Sequence, residues 1–333
     1  MGGDHGPAVV VEGALRAIEA GFGPVVLVGD EARIRPELAR RGASVAACTI
    51  CHAPDAIGMD EAPAKVARSR RRSPLHVGLG LVRDGEAAGF FSAGNSGALL
   101  AVAIVTLRRL SACERPAIAA VLPSLRAPIV LLDAGANAEC RAAHLIQFAH
   151  MGAAYAEVHL GRSMPTVGLL SNGTESSKGT EALREAHERL AASKLAYAGF
   201  IEGRDVPQGV VDVVVTDGFT GNVVLKLSEG ISLALMDRVR STLTRTLLGR
   251  VGGALVKHSL RSLRAELDWV NVGGAPLLGV DGVAVVGHGA STAAAVASGI
   301  RLTRLLARER LVTRLDETLA ALANRLPSSG RAL

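Results

Sequence analysis

Residues 166–190, TVGLLSNGTESSKGTEALREAHERL, place an apolar strand before an amphipathic helix and separate the two with a long polar turn. Val167 to Leu170 reads as a short buried strand, and a helical pattern starts near Gly179. Between them lie Ser171, Asn172, Gly173, Thr174, Glu175, Ser176, Ser177 and Lys178. A strand-to-helix turn needs about 2–6 residues and one cap. This turn offers more hydrogen-bonding groups than a cap uses, with a lysine at the mouth of the helix.

The same handover recurs along the chain. PVVLVG precedes the helical DEARIRPELARRG, and AAGFFSAG precedes ALLAVAIVTLRRL. PAIAAVLPS and APIVLLDAG read as buried strands, followed by the helical AECRAAHLIQFAHMGAAYAEV. VVDVVVTDGFTG is a further strand and turn. PLLGVDGVAVVGHG supplies the last strand or two before the helix ASTAAAVASGIRLTRLL. Continuous Val, Ile and Leu strands between helices predict an α/β fold: a mostly parallel, doubly wound, Rossmann-like sheet with helices on both faces. No repeat or low-complexity linker divides the chain, so a single domain over 1–333 is expected, with a frayed tail at 326–333. The opening residues, MGGDHGPAVVVEGALRAIEAGF, begin inside a glycine-rich turn and run straight into a helix. A doubly wound fold delivers such a turn from a strand, so the reading expects an N-terminus shortened by one strand, with a vacant slot beside the first helix.

Aromatic residues make up only 3% of the 333, so the core must be built from Ala, Val, Leu and Ile. The net charge of +6 suits an anionic partner without choosing one. Nucleic acid fits poorly, because few aromatics are available to stack bases and no binding motif is present. Four cysteines in so long a chain form no disulfide framework. The CTICH stretch, Cys48 to His52, is read as small apolar side chains at a strand end, not as haem attachment. Ala88 to Leu107 carries no charge, but SAGNSG at its centre would break a spanning helix.

Six polar turns follow strand ends. They contain Gly3 and Asp4; Gly94, Asn95 and Ser96; Gly135 and Asn137; Asn172, Glu175, Lys178 and Gly179; Asp217, Gly221 and Asn222; and His288 and Ser291. In open α/β sheets ligands bind outside the carboxyl ends of strands. Glycine allows close backbone approach, and the N–H groups of a following helix favour an anion. The set therefore predicts a shared anion site. Dinucleotide and Walker fingerprints, paired metal-ligand motifs and the G-x-S-x-G elbow are all missing, so no cofactor or metal is expected.

The motifs MGGDHGP, SAGNSGALLA, DAGAN, SNGTESSKGTE, TDGFTGNVVLK and VGGAPLLGVDGVAVVGHGAS together resemble those of the bacterial phosphate acyltransferases (the PlsX family), in order from residue 1 to about 305. Ser96 stands where the family commonly has Thr, and Trp269 and Val272 where Tyr is common. The family also begins with a strand before the Met-Gly-Gly-Asp turn. The resemblance implies a sheet of the isopropylmalate-dehydrogenase kind, and transfer of a fatty acyl group from an acyl carrier protein thioester to inorganic phosphate. It also implies a cytoplasmic homodimer that contacts the membrane peripherally. On this reading Lys178 and Asn222 are the catalytic donors, Lys178 and the N–H groups around Gly179 cradle phosphate, and the other turn residues named above shape or line the site. Two readings stay open beside it. One is a CoA-dependent phosphate acetyl- or butyryltransferase, or a decarboxylating dehydrogenase, on a related fold. The other is a non-catalytic scaffold for carrier protein or membrane.

A basic helical stretch completes the picture. Val239, Leu243, Leu247, Val251 and Leu255 recur every four residues, and seven Lys or Arg but no acid lie between Arg238 and Arg264. The expectation is an amphipathic hairpin at about 229–267, turned at Gly249 or Gly252-Gly253, serving an anionic membrane, the carrier protein or a dimer interface.

Overall fold

The computed structural model describes residues 3, 6–42, 48–58, 60–258, 260 and 273–324. Asp4, Trp269, Val272, the tail at 326–333 and the far end of the expected hairpin lie outside the described residues.

The chain opens with α1 (Gly6–Glu19), β1 (Val26–Gly29), α2 (Glu31–Arg40), β2 (Thr49–His52), α3 (Pro63–Ser69) and α4 (Pro74–Arg83). It continues through β3 (Phe90–Ser92), α5 (Ser96–Thr106), β4 (Ala117–Leu122), β5 (Ile129–Leu132) and α6 (Ala142–Leu160). Then come β6 (Thr166–Leu170), α7 (Glu181–Ala191), β7 (Ala196–Ile201), β8 (Val213–Val215), α8 (Gly218–Thr244) and α9 (Leu247–Leu255). The last elements are β9 (Ala275–Leu278), β10 (Ala284–Val286), α10 (Ala293–Arg308) and α11 (Leu311–Ala323).

Eight strands form one sheet in the order β3-β10-β9-β4-β5-β8-β6-β7, and β1 and β2 form a separate parallel pair. The pairings β3–β10, β5–β8, β8–β6 and β6–β7 are parallel, so the expected mostly parallel α/β sheet is present. Its middle is antiparallel, through β4–β5, β4–β9 and β9–β10. The reason is local. β4 and β5 are joined by only six residues, as are β9 and β10 by five, too few for a crossover helix. β7 and the terminal helix α11 were not foreseen from the sequence; in AYAGFI, Ala196, Ala198 and Gly199 weaken the strand pattern.

Period-two alternation explains why the strands read as continuous apolar runs. Val130, Leu132, Val213 and Val215 point into a core shared with α6, whereas Leu131 and Val214 point into the opposite core, where Val224 and Leu225 of α8 pack. Helix α6 is apolar on nearly every face and is buried accordingly, with Phe148, Met151 and Tyr155 fully enclosed. Gly152 admits Val213: a β-carbon there would lie 2.6 Å from the valine Cγ1. Toward the other end of the sheet, Ala284 and Val286 pack with Leu79, Leu99 and Val102 of α4 and α5.

The expected stripe at 239–255 does not run along one helix. Helix α8 ends at Thr244, and Thr246 caps α9 by accepting from the Gly249 N–H at 3.0 Å. The turn is therefore at Arg245-Thr246, while Gly249, Gly252 and Gly253 lie within α9. A β-carbon at Gly249 would sit 2.5 Å from the Leu243 carbonyl oxygen, so this glycine lets α9 fold back onto α8. Val251 and Leu255 are exposed, and the Leu247 side chain is outside the described residues.

His159 near the end of α6 stacks on Tyr155, with ring centroids 5.2 Å apart. Burial, reinforced by Arg301, lowers its pKa to about 4. An unfolded histidine titrates near 6.5. Between these values the unfolded chain binds more protons, so stability present above about pH 6.5 is lost as pH falls toward 4. Denaturant unfolding from about pH 7 to about pH 5 should show this decline, and His159→Phe should flatten it. An unchanged slope in the variant would assign the decline elsewhere, with His144, also lowered by burial, the next to test.

Candidate active site

The carboxyl end of β5 turns around one buried side chain. Asp133 has no exposed surface and accepts five N–H hydrogen bonds. Its Oδ1 takes the backbone N–H groups of Ile118, Gly135 and Ala136 at 3.1, 3.1 and 3.0 Å. Its Oδ2 takes the Asn137 backbone N–H at 2.7 Å and the Asn137 amide at 2.8 Å. Burial pushes the Asp133 carboxyl up, and these donors pull it back toward the ionised form. The Asn137 amide also donates to the Pro116 carbonyl at 2.8 Å. Asn137 was expected among the ligand donors, but its amide is spent on Asp133 and on the Pro116 carbonyl ahead of β4, and it acts as a brace between them.

Helix α8 starts directly against this turn. Gly218 donates its N–H to the Asn137 carbonyl at 2.7 Å. A β-carbon at Gly221 would lie 1.8 Å from the Asp133 carbonyl oxygen, so no larger residue fits that position. Asp217 caps the helix, accepting from the Thr220 N–H and the Thr220 hydroxyl, each at 2.8 Å. Asn222 then stands across from the Gly135 backbone, where φ is +137° and a β-carbon would meet the asparagine Cγ at 3.6 Å. Asn222 is exposed, and its amide makes no hydrogen bond among the described residues.

Strand β6 is the next neighbour of β8, and its turn is braced from within. Asn172 Oδ1 accepts the Gly179 N–H at 3.0 Å, and Lys178 donates its backbone N–H to the Glu175 carbonyl at 2.9 Å. A β-carbon at Gly173 would meet Lys178 Cγ and Glu175 Oε2, each at 2.8 Å, so these three residues pack closely. Helix α7 begins at Glu181, two residues later than expected, because Thr180 is its cap. The Gly179 N–H is consequently not an open helix-end donor, as the sequence reading had it, but a strut of the loop. Arg184 Nη1 adds a second strut by donating to the Gly179 carbonyl at 2.6 Å, a contact that no sequence motif signals. What the long polar turn leaves over is the Lys178 ammonium, exposed and without an ion pair among the described residues.

The remaining turns form a second group, around β3 and β10. A β-carbon at Gly3 would lie 3.1 Å from the Ala93 carbonyl oxygen and 3.3 Å from that of Gly289. Asn95 caps α5 by accepting from the Ala98 N–H at 2.9 Å, which places Gly94 and Ser96 on either side of the cap. The His288 carbonyl accepts from the Ser291 hydroxyl at 2.6 Å, and Ser291 is buried. Three successive antiparallel pairings separate the two groups, so β3 and β10 run against β5, β8 and β6. The six turns thus assemble as two groups of three.

Thiol chemistry is disfavoured at both cysteines near the first group. Burial pushes Cys113 up to about 11, and burial with the nearby Asp133 pushes Cys140 up to about 12. Neither supplies much thiolate at neutral pH. Among the described residues, no three His, Cys, Asp or Glu side chains are grouped to hold a metal ion.

Comparison with known proteins agrees with this architecture. The phosphotransacetylase from Streptococcus pyogenes superimposes with a TM-score of 0.64 at 18% identity, covering 91% of each chain. The EutD phosphotransacetylase from Staphylococcus aureus gives 0.58 at 15% identity, covering 90% of this chain and 92% of its own. These likenesses establish the fold. Sequence relatives are nearer: the phosphate acyltransferase of Syntrophotalea carbinolica is 44% identical over 95% of this chain and 91% of its own length. That of Trichlorobacter lovleyi is 43% identical over 96% and 93%. The family model described as fatty acid synthesis protein matches residues 1–314. The chain therefore belongs to the fatty acid synthesis protein family, in the company of these phosphate acyltransferases.

Proposed function

We propose that this chain is an acyltransferase that moves a fatty acyl group from an acyl carrier protein thioester to inorganic phosphate, yielding acyl phosphate for phospholipid synthesis. Family membership supports the reaction class. The observation that carries the site assignment is a pair of uncommitted donors, the Lys178 ammonium on the turn after β6 and the Asn222 amide in the first turns of α8, the helix that follows β8; β6 and β8 lie side by side.

The chemistry asks for little more. Phosphate dianion is itself a nucleophile. Its oxygen attacks the thioester carbonyl, the tetrahedral oxyanion collapses, and the C–S bond breaks to release the carrier thiolate, which takes up a proton. The protein must hold phosphate in line and stabilise charge as it develops. This role is supported for Lys178 by a loop whose other groups are spent on bracing, and for Asn222 by its position at the start of α8, where Asp217 and Gly218 are already engaged. Gly135 and Gly221 leave room for close approach, while Asn137, Asn172, Glu175 and Asp217 keep the loops in shape. The raised thiols of Cys113 and Cys140 favour direct attack by phosphate over an acyl-cysteine intermediate.

Helix α8 supports an assembly role. Phe219, Val223, Leu227, Ile231 and Leu235 repeat every four residues and are each at least half exposed. Such a stripe suits pairing of two copies into a homodimer. Helix α9 adds exposed Leu248, Val251 and Leu255 beside Arg245 and Arg250, which suits peripheral contact with an anionic membrane from the cytoplasmic side. No described helix is long and apolar enough to cross a membrane.

Lys178→Ala and Asn222→Ala should each lower kcat by about 100- to 1,000-fold, with the fold intact. The assay is acyl phosphate trapped by hydroxylamine, with acyl carrier thioester as donor and acetyl-CoA in parallel. Most of the turnover surviving in Lys178→Ala at saturating phosphate would refute the assignment. Faster turnover of acetyl-CoA would redirect the substrate toward the CoA-dependent reading. Separately, Val251→Asp with Leu255→Asp should reduce co-sedimentation with anionic vesicles and leave kcat on soluble acyl carrier protein unchanged. A loss of turnover in the folded double variant would make α9 part of the substrate site.

A further inference from the structure

A further cation stands at the edge of the sheet where Lys178 and Asn222 lie. Strand β4 is antiparallel to β5, and β5, β8 and β6 are parallel, so β4 starts where those three strands end. Arg115 lies two residues ahead of β4. In sheet order the edge therefore carries Arg115 ahead of β4, Asn222 against Gly135 after β5, and Lys178 after β6.

The backbone is fixed on both sides of Arg115. The Glu114 N–H donates to the Gln147 side-chain oxygen at 2.9 Å, and Arg109 donates to the Glu114 carbonyl. On the other side, the Pro116 carbonyl accepts from the Asn137 amide at 2.8 Å. The neighbouring acid is already engaged: the Glu114 carboxylate pairs with Arg141 at 2.7 Å and lies 3.4 Å from His144. Arg115 is exposed, and its guanidinium makes no hydrogen bond or ion pair among the described residues. Burial governs the raised Cys140 thiol and the lowered His144, and the Arg115 charge acts on both, which puts the guanidinium near the start of α6. Helix α7, which follows the Lys178 turn, packs into the same core as α6 through Ala186 and Leu190. Arg115 and Lys178 thus stand toward one side of the sheet.

We propose that Arg115 is a second cationic group of the phosphate site, closing with Lys178 on inorganic phosphate; the identity of the anion rests on the acyl-transfer reading above. From β4 to β6 the sheet spans three strand spacings, about 14 Å. Arginine and lysine side chains each extend about 6 Å, so the two can meet on one tetrahedral anion between them. Phosphate dianion carries two charges, and the carboxylates of Asp133 and Asp217 at the same edge repel it. One ammonium leaves that charge poorly balanced. A guanidinium adds parallel N–H donors in a fork that matches phosphate oxygens.

The test is calorimetric titration of the whole chain with inorganic phosphate, without any acyl donor, for the unaltered protein, Arg115→Gln and Arg115→Lys. Arg68→Gln is the control: Arg68 is also exposed and unpaired among the described residues, but it lies on α3 at the β3 end of the sheet. Arg115→Gln should raise the Kd for phosphate by about 10- to 100-fold, Arg115→Lys should raise it less, and Arg68→Gln should leave it unchanged. Melting temperatures should stay close to that of the unaltered chain, because the Arg115 side chain braces nothing. Phosphate binding that is absent from the unaltered chain, equal in Arg115→Gln, or weakened as much by Arg68→Gln would each overturn the proposal. The acyl phosphate assay is run alongside. Arg115-dependent phosphate binding in a chain that forms no acyl phosphate would uphold the assignment and refute the acyl-transfer reading. Turnover by the unaltered chain with phosphate affinity unchanged in Arg115→Gln would refute this assignment alone.

Discussion

The buried carboxylate of Asp133 is the contact on which the site depends. It gathers five N–H groups from β4 and from its own turn, in a place where any one left unpaired would be costly. By fixing the turn after β5, it fixes the surface against which α8 begins. The fit there leaves no room for a β-carbon at Gly221. The direction of a 27-residue helix, and the position of Asn222 on it, follow from one side chain that never meets solvent.

The same economy holds across the site. Polar loops at a ligand-binding edge must be rigid, yet keep a few groups free. Here Asn172, Asn137, Asp217 and Thr180 do the bracing, and Lys178 and Asn222 stay free. Pre-set donors need no reorganisation when charge develops on a reacting carbonyl or phosphate. This suits a reaction whose nucleophile comes from solution, and it agrees with the thiols of Cys113 and Cys140 being held in their neutral form.

Toward β3 the architecture is organised differently. The sheet reverses sense through two tight antiparallel connections, and β1 and β2 stand apart with a helix-covered gap between. The turn at Gly3 touches the ends of β3 and β10 across that gap. Bracing of the polar turns at the β5–β8–β6 edge and packing at the β3 edge are therefore separate physical problems within one fold.

The sequence by itself determined the fold class, since Val, Ile and Leu runs alternating with helical patterns leave few alternatives to a sheet covered on both faces. It also determined where the polar turns lie, because glycine, asparagine and aspartate at strand ends are visible without coordinates. Its motif set was specific enough to indicate the family. Which polar groups remain free was decided only in three dimensions: Asn137 and the Gly179 N–H looked as available as Asn222, until their partners at Pro116, Asp133 and Asn172 came into place. The break between α8 and α9 was hidden for a similar reason. A four-residue repeat runs through Arg245 and Thr246 unchanged, and only the close approach of Gly249 to Leu243 shows where the helix turns back. Strand order and sense were likewise beyond the sequence, because pairing partners distant along the chain are selected by packing rather than by local pattern.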